Sequence, residues 1–127
     1  MTENELSKIV IDTCLKIHKE LGPGLFESVY EAILAFELGK CGLKIERQIP
    51  IPVIWKGMIV ENAFKADIVV ENKLLLELKS TEKISNVYKK QVLTYLKISG
   101  LKLGLLINFG QELLRNGITR VVNGLKD

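Results

Sequence analysis

The stretch from Phe64 to Lys79 constrains this chain more than any other part of it, because its pattern admits a single hairpin register. Phe64, Ala66, Ile68 and Val70 alternate with Lys65, Asp67 and Val69, which assigns the two sets to opposite faces of an extended strand. Leu74, Leu76 and Leu78 alternate with Leu75, Glu77 and Lys79. Burying the face of Leu74, Leu76 and Leu78 turns Glu77 and Lys79 the other way. With Glu71-Asn72-Lys73 as the turn, Val70 pairs with Leu74, Asp67 lies across from Glu77, and Lys65 faces Lys79. A slip of one residue would carry the charges onto the leucine face, which burial forbids.

Like charges placed directly opposite each other destabilise a sheet by up to about 1 kcal/mol. Two arrangements relieve the repulsion between Asp67 and Glu77. A hard divalent cation such as Mg²⁺ could be held between the carboxylates, with water completing its shell. Alternatively, the diagonal pairs Asp67 with Lys79 and Lys65 with Glu77 could satisfy each other on an exposed surface. The hairpin alone leaves both open.

At 127 residues the chain has the length of one domain with a real core, and residues 1–127 are read as one unit. A hydrophobic share of 47% with 26% charged residues is that of a soluble globular protein. No apolar run is long enough to span a bilayer, and Met1-Thr2-Glu3-Asn4-Glu5 is acidic and polar, unlike a signal peptide. The expectation is an intracellular, cytoplasmic protein without membrane association. Cys14 and Cys41 lack the spacing of a zinc site and are read as buried thiols. His18, the sole histidine, is expected at the surface or its boundary.

Charge is unevenly distributed. Residues 1–72 carry eight Lys/Arg against eleven Asp/Glu, whereas residues 73–102 carry seven lysines against Glu77 and Glu82 alone. A lysine-rich stretch that begins beside paired acids suits a phosphate backbone, although a solvated helix face produces the same pattern.

Leu6, Ile9, Val10, Thr13, Ile17 and Leu21 recur at helical spacing until Gly22-Pro23-Gly24 stops the helix. A second helix is expected from Leu25 or Phe26 to Lys40, with Val29, Ile33 and Phe36 on its apolar side, ending at Cys41-Gly42. The period then changes to two. Leu43 to Trp55 reads as a strand that Pro50 and Pro52 mark as an edge or a bend, Lys56-Gly57 as a turn, and Met58 to Val70 as its partner. Ser85 caps a third helix over Asn86 to Ser99, closed by Gly100. Leu103 to Phe109 is a continuous apolar run, expected as a strand buried on both faces and parallel to a neighbour across the helical crossover. Ile118 to Asn123 can add one more strand.

The order α, α, β, β, β, α, β and several motifs resemble a known family. Gly24-Leu25-Phe26-Glu27-Ser28-Val29-Tyr30 matches the signature of the GxxExxY family, a branch of the PD-(D/E)XK nuclease superfamily. The match continues through Ala66-Asp67, Glu77-Leu78-Lys79, Gln91-Val92-Leu93-Thr94-Tyr95 and Gly104 to Gly110. Each motif is weak alone; their ordered succession is specific. The resemblance implies an α/β fold with a mixed sheet, a restriction-endonuclease-like αβββαβ core preceded by an extra helix.

It also implies a metal-dependent nuclease that uses Mg²⁺ or Mn²⁺ on nucleic acid, DNA ahead of RNA. Glu27, Asp67 and Glu77 would be the catalytic acids and metal ligands, and Lys79 the catalytic lysine that orients the attacking water. Gln91 and Tyr95 resemble the QxxxY motif of the RecB-like branch and, with Tyr30, would contact substrate. Glu27 and Tyr30 are three residues apart and Gln91 and Tyr95 four, so each pair shares a helical face. Two departures stand out: Tyr88 occupies a position where family members often carry histidine, and Ala66 precedes Asp67 in place of proline. A nuclease-fold module that binds nucleic acid or a protein partner with little turnover is the alternative. Self-association as a homodimer through an edge strand such as Leu43 to Trp55 would supply surface that so short a chain lacks.

Overall fold

The computed structural model describes residues 1–126. Helix α1 (Glu3–Leu21) begins at a capping box in which Thr2 Oγ1 accepts from the Glu5 amide and Glu5 accepts from the Thr2 amide. Its buried line, Leu6, Val10, Cys14 and Ile17, has the spacing of one helix face. Helix α2 (Glu27–Lys40) is followed by strands β1 (Ile45–Trp55), β2 (Met58–Val70) and β3 (Leu74–Lys79), helix α3 (Asn86–Ser99), strand β4 (Leu103–Asn108), a short 3₁₀ turn and strand β5 (Ile118–Val122).

The five strands lie side by side in the order β1-β2-β3-β4-β5. All neighbours are antiparallel except β3 and β4, which run parallel across the α3 crossover. As expected from its prolines, β1 is an edge strand. Both hairpin turns use paired left-handed residues, Lys56-Gly57 and Glu71-Asn72, whose twist suits antiparallel strands.

Two apolar layers sandwich the sheet. Leu6, Val10, Tyr30, Leu34 and Leu38 of α1 and α2 pack on Ile68, Val70, Leu74, Leu76, Leu78, Leu105 and Ile107. Val92 and Leu96 of α3 cover the other face, against Phe64, Ala66, Val69, Leu75 and Leu106. Strand β4 is buried on both faces, as its unbroken apolar run predicts.

Three side-chain expectations are corrected. The inward face of α2 is Tyr30, Glu31, Leu34 and Leu38, whereas Val29 and Phe36 are exposed. A helix with apolar residues on several sides gives no unique stripe, so its orientation was decided by the sheet. Cys14 is buried, and burial pushes its thiol far up from the ordinary range; Cys41, at the helix end, is exposed. His18 is buried, with Nε2 2.9 Å from the Gln111 carbonyl, because the loop after β4 folds over it.

Candidate active site

The turn at Glu71-Asn72-Lys73 and the pairs Val70 with Leu74, Val69 with Leu75 and Ile68 with Leu76 are those the sequence requires. Continued one step, this register sets Asp67 opposite Glu77. The backbone ladder stops there, and the two carboxylates replace it. Asp67 Oδ2 accepts from the Leu78 amide at 2.8 Å, and Glu77 Oε1 accepts from the Asp67 amide at 3.3 Å. Each acid is thus anchored to the other's strand.

The expected uniform alternation of β2 fails at the same point. Phe64 and Ala66 pack under α3, whereas Ile68 and Val70 pack under α1 and α2, so the strand changes face at Asp67. On β1, Ile45 belongs to the first layer and Ile49 and Ile51 to the second. The reversal there falls at Gln48, whose φ of 50° is left-handed. Since Arg47 pairs with Ile68 and Ile49 with Ala66, the two reversals are opposite one another. The pairing of β2 with β3 ends at Ile68 and Leu76, so the expected ladder opposing Lys65 to Lys79 does not form.

Gln48 uses its displaced position to join two acids. Its Nε2 donates to Glu31 Oε1 at 2.6 Å and to Asp67 Oδ1 at 3.3 Å. Arg47 holds the other Glu31 oxygen, with Nε at 3.1 Å and Nη2 at 3.0 Å. Neither Glu31 nor Gln48 was singled out by sequence reasoning. The available signal was the spacing of Glu27 and Glu31, four residues apart on α2, which aligns them on one face.

Electrostatically the pair is only partly compensated. Glu77 is only 7% exposed; burial first, then the charge of Asp67, pushes its carboxyl up to about 8. Asp67 is raised as well, mainly by burial and further by Glu31, while its hydrogen bond from Leu78 opposes the shift. No ion pair among the described residues involves Asp67 or Glu77, so the diagonal charge pairing is not formed. Lys79 lowers both carboxyls through its field, but its Nζ lies 4.4 Å from the centroid of the Tyr88 ring. The tyrosine that stands where histidine was expected therefore holds the lysine by a cation–π contact.

The remaining expected residues fall in different places. Glu27 is exposed at the start of α2, and its charge contributes to raising Glu77. It does not complete a three-ligand group: among the described residues no three Asp, Glu, His or Cys side chains gather as one. Gln91 and Tyr95 come to the site together. Burial first, then the charges of Glu77 and Asp67, raise the Tyr95 hydroxyl, the Gln91 side chain opposes the shift, and the Tyr95 ring stacks on Phe64 at 3.8 Å. Tyr30 does not reach the surface. It is fully buried and stacked on Phe109 at 4.3 Å, and its hydroxyl donates to Gly22 O at 2.6 Å and accepts from the Leu25 amide at 3.2 Å. Its place is structural, beneath the loop that precedes Glu27.

Asn108, also unanticipated, clips the segment after Lys79 to the end of β4. Its Oδ1 accepts from the amides of Thr81 and Gly110, both at 3.0 Å, and its Nδ2 donates to Thr81 O at 2.9 Å. Gly110 is required beside it, because a Cβ there would meet the Thr81 backbone at 2.1 Å. A concavity of about 810 Å³ between α1 and α2 is lined by Thr13, Ile17, Glu20, Ile33 and Glu37 and lies away from this chemistry.

Two desolvated carboxylates without a cationic partner form a donor set that fits a hard divalent ion, which needs as few as one or two protein carboxylates when water and phosphate complete its shell. A family model described as the PD-(D/E)XK nuclease superfamily matches residues 4–121. Curated proteins and solved structures gave no match. Nucleases of this superfamily generally use divalent metal ions, act on nucleic acid, and are built on the kind of helix-flanked mixed sheet described above. With acid, acid and lysine on two neighbouring strands and the family model spanning nearly the whole length, the chain belongs to the PD-(D/E)XK nuclease superfamily.

Proposed function

We infer that this protein is a metal-dependent nuclease that hydrolyses phosphodiester bonds in DNA, and that it falls in the GxxExxY group with the QxxxY arrangement of the RecB-like branch. One observation supports this above the others: Glu77 is buried beside the half-buried Asp67 with no ion pair to either, and burial together with the charge of Asp67 pushes Glu77 up to about 8. An arrangement so costly in isolation is relieved by a bound cation. Asp67 and Glu77 would hold Mg²⁺ or Mn²⁺, with Glu27 as an outer acid. When bound, such an ion lowers the pKa of water and neutralises phosphate charge.

The chain's own residues supply the rest. Lys79 projects from the same strand as Glu77 and brings positive charge to the side where a nucleophile and a phosphate would meet. Tyr88 restrains it there. Gln91 and Tyr95 present an amide and a hydroxyl beside the carboxylates, suited to orienting the substrate backbone. Lys83, Lys89 and Lys90, on and before α3, favour a polyanion on this side. An intracellular location accords with such a substrate. Edge strand β1, whose outer end carries the exposed Ile54 and Trp55 beside Met58 and Ile59, offers the surface for a two-fold dimer.

The test incubates the protein with single-stranded, duplex and branched DNA and with RNA, in Mg²⁺, Mn²⁺ or EDTA. Cleavage should require the metal and fall by at least about 100-fold in both Asp67→Asn and Lys79→Ala, the scale of losing one transition-state contact. Binding without cleavage in every metal would instead identify a nuclease-fold binding module.

A further inference from the structure

Helix α2 is preceded by Gly22-Pro23-Gly24-Leu25-Phe26, a loop held unusually firmly for one so exposed. Tyr30 Oη clamps Gly22 O at 2.6 Å and the Leu25 amide at 3.2 Å, and Ser80 Oγ donates to Leu25 O at 2.6 Å. Gly22 and Gly24 take φ of 70° and 110°, values that L side chains resist. The product of this bracing is an aromatic ring in solvent: Phe26 is 83% exposed. A lone surface hydrophobic is ordinary. This one is different in position, since it adjoins Glu27 and borders a depression of about 420 Å³ shared with Pro23, Gly24, Glu27, Ser80 and Gly110.

That depression adjoins the candidate active site through Glu27 and Ser80. Ser80 follows Lys79 directly, and Glu27 is close enough to Glu77 to raise its carboxyl. On α3, Tyr88 meets Lys79 and Tyr95 feels the charges of Glu77 and Asp67. A strand whose phosphate sits at Asp67 and Glu77 would place an adjoining base over the Pro23–Glu27 shelf. Flat aromatic rings on rigid supports are how proteins hold unpaired bases without reading their sequence.

We propose that Phe26 is a stacking platform for an unpaired nucleobase next to the scissile phosphate, so that the substrate class is single-stranded or frayed nucleic acid. The proposal rests on the nuclease reading of the site and deepens it. Paired bases in a duplex have no free face to offer the ring, whereas an unpaired base of DNA or RNA does.

The experiment measures binding in EDTA, where cleavage is absent. Single-stranded DNA and RNA of one sequence, each with an internal 2-aminopurine, and the corresponding blunt DNA duplex are titrated with wild type, Phe26→Ala and Phe26→Trp. The expected result is quenching of 2-aminopurine by wild type in the single strand, and about a tenfold fall in the single-strand to duplex affinity ratio for Phe26→Ala, the scale of one lost base stack. Phe26→Trp should restore the ratio. A common response in the DNA and RNA strands assigns the platform to the base itself; a response in one assigns it to that strand. An unchanged ratio in Phe26→Ala, with far-UV circular dichroism showing a native fold, overturns the proposal. If metal-dependent cleavage still disappears in Asp67→Asn, the nuclease reading survives that outcome. Absence of any nucleic-acid binding by wild type overturns both.

Discussion

Gln48 shows how a single residue can shape this site without carrying its chemistry. The left-handed backbone at Gln48 costs a non-glycine residue about 1–2 kcal/mol, and its amide is what links Glu31 to Asp67. Gln48→Gly removes strain and amide together. Its effect on stability should stay within about 1 kcal/mol, because relief of strain offsets the lost hydrogen bonds. Its effect on metal binding should be larger, about 10–100-fold weaker for Mn²⁺ by calorimetry, the range seen when an outer partner of a ligand is lost. Unaltered Mn²⁺ affinity would mean that Gln48 does not position Asp67. Glu31→Gln moves the acid in the opposite sense. With the Glu31 charge removed, a contribution that raises Asp67 disappears, so the Asp67 carboxyl should titrate lower in carbon-detected NMR.

Elements outside the paired acids fix the site's geometry, and Asn108 does so for the segment after β3. Asn108→Ala strands the Thr81 amide and carbonyl and the Gly110 amide, three groups it now satisfies. Leaving buried polar groups unmade costs about 1–3 kcal/mol each before water returns, so an overall loss of about 3 kcal/mol in urea denaturation is expected. Tyr30→Phe keeps the stack on Phe109 but frees Gly22 O and the Leu25 amide, which should cost about 1 kcal/mol and loosen the Phe26 loop to hydrogen exchange. A stability equal to wild type would show the loop to be braced by other contacts.

The same scale explains what was legible in the sequence. Period and punctuation revealed the α-helices and strands, though not the 3₁₀ turn Leu114–Gly117, because Gly22-Pro23-Gly24, Lys56-Gly57 and Glu71-Asn72-Lys73 interrupt the chain by local backbone chemistry. The acid pair was legible from register alone. The face reversal at Asp67 was not, since it depends on Gln48 across the sheet adopting a conformation that no residue type enforces there. Glu31 and Asn108 read as an ordinary helix charge and a strand end; their roles exist only once 16 residues separate Glu31 from Arg47 and 27 separate Thr81 from Asn108 in sequence but not in space. Tyr30, expected on the face of Glu27, turned inward while Glu27 stayed exposed, because the α2 face that meets Phe109 was not defined by periodicity.

At the scale of the whole molecule the paired acids make stability depend on pH and on cations together. Glu77 moves from its ordinary 4.5 to about 8 in the folded protein, and Asp67 shifts in the same direction. Below about 4.5 the folded and unfolded chains bind this proton alike, and the neutral pair costs nothing extra. As pH rises from there to about 8, the unfolded chain releases the proton while the folded one retains it, so stability falls through that window. Glu5 has the opposite sign, because its carboxyl is lowered by Thr2; its contribution is lost only as pH falls below the ordinary carboxylate range, outside the window. In EDTA, the melting temperature should therefore decline between about pH 5.5 and about pH 8. An ion held by Asp67 and Glu77 reverses the penalty, and a hundredfold excess over its Kd adds about 2.7 kcal/mol. Mn²⁺ should accordingly raise the melting temperature far more at the upper pH than at the lower. Glu77→Gln, neutral at every pH, should flatten the decline in EDTA and abolish most of the Mn²⁺ effect. A wild type whose melting temperature is level across the window, and which Mn²⁺ leaves unmoved, would show that the two acids neither repel in the folded state nor share a cation.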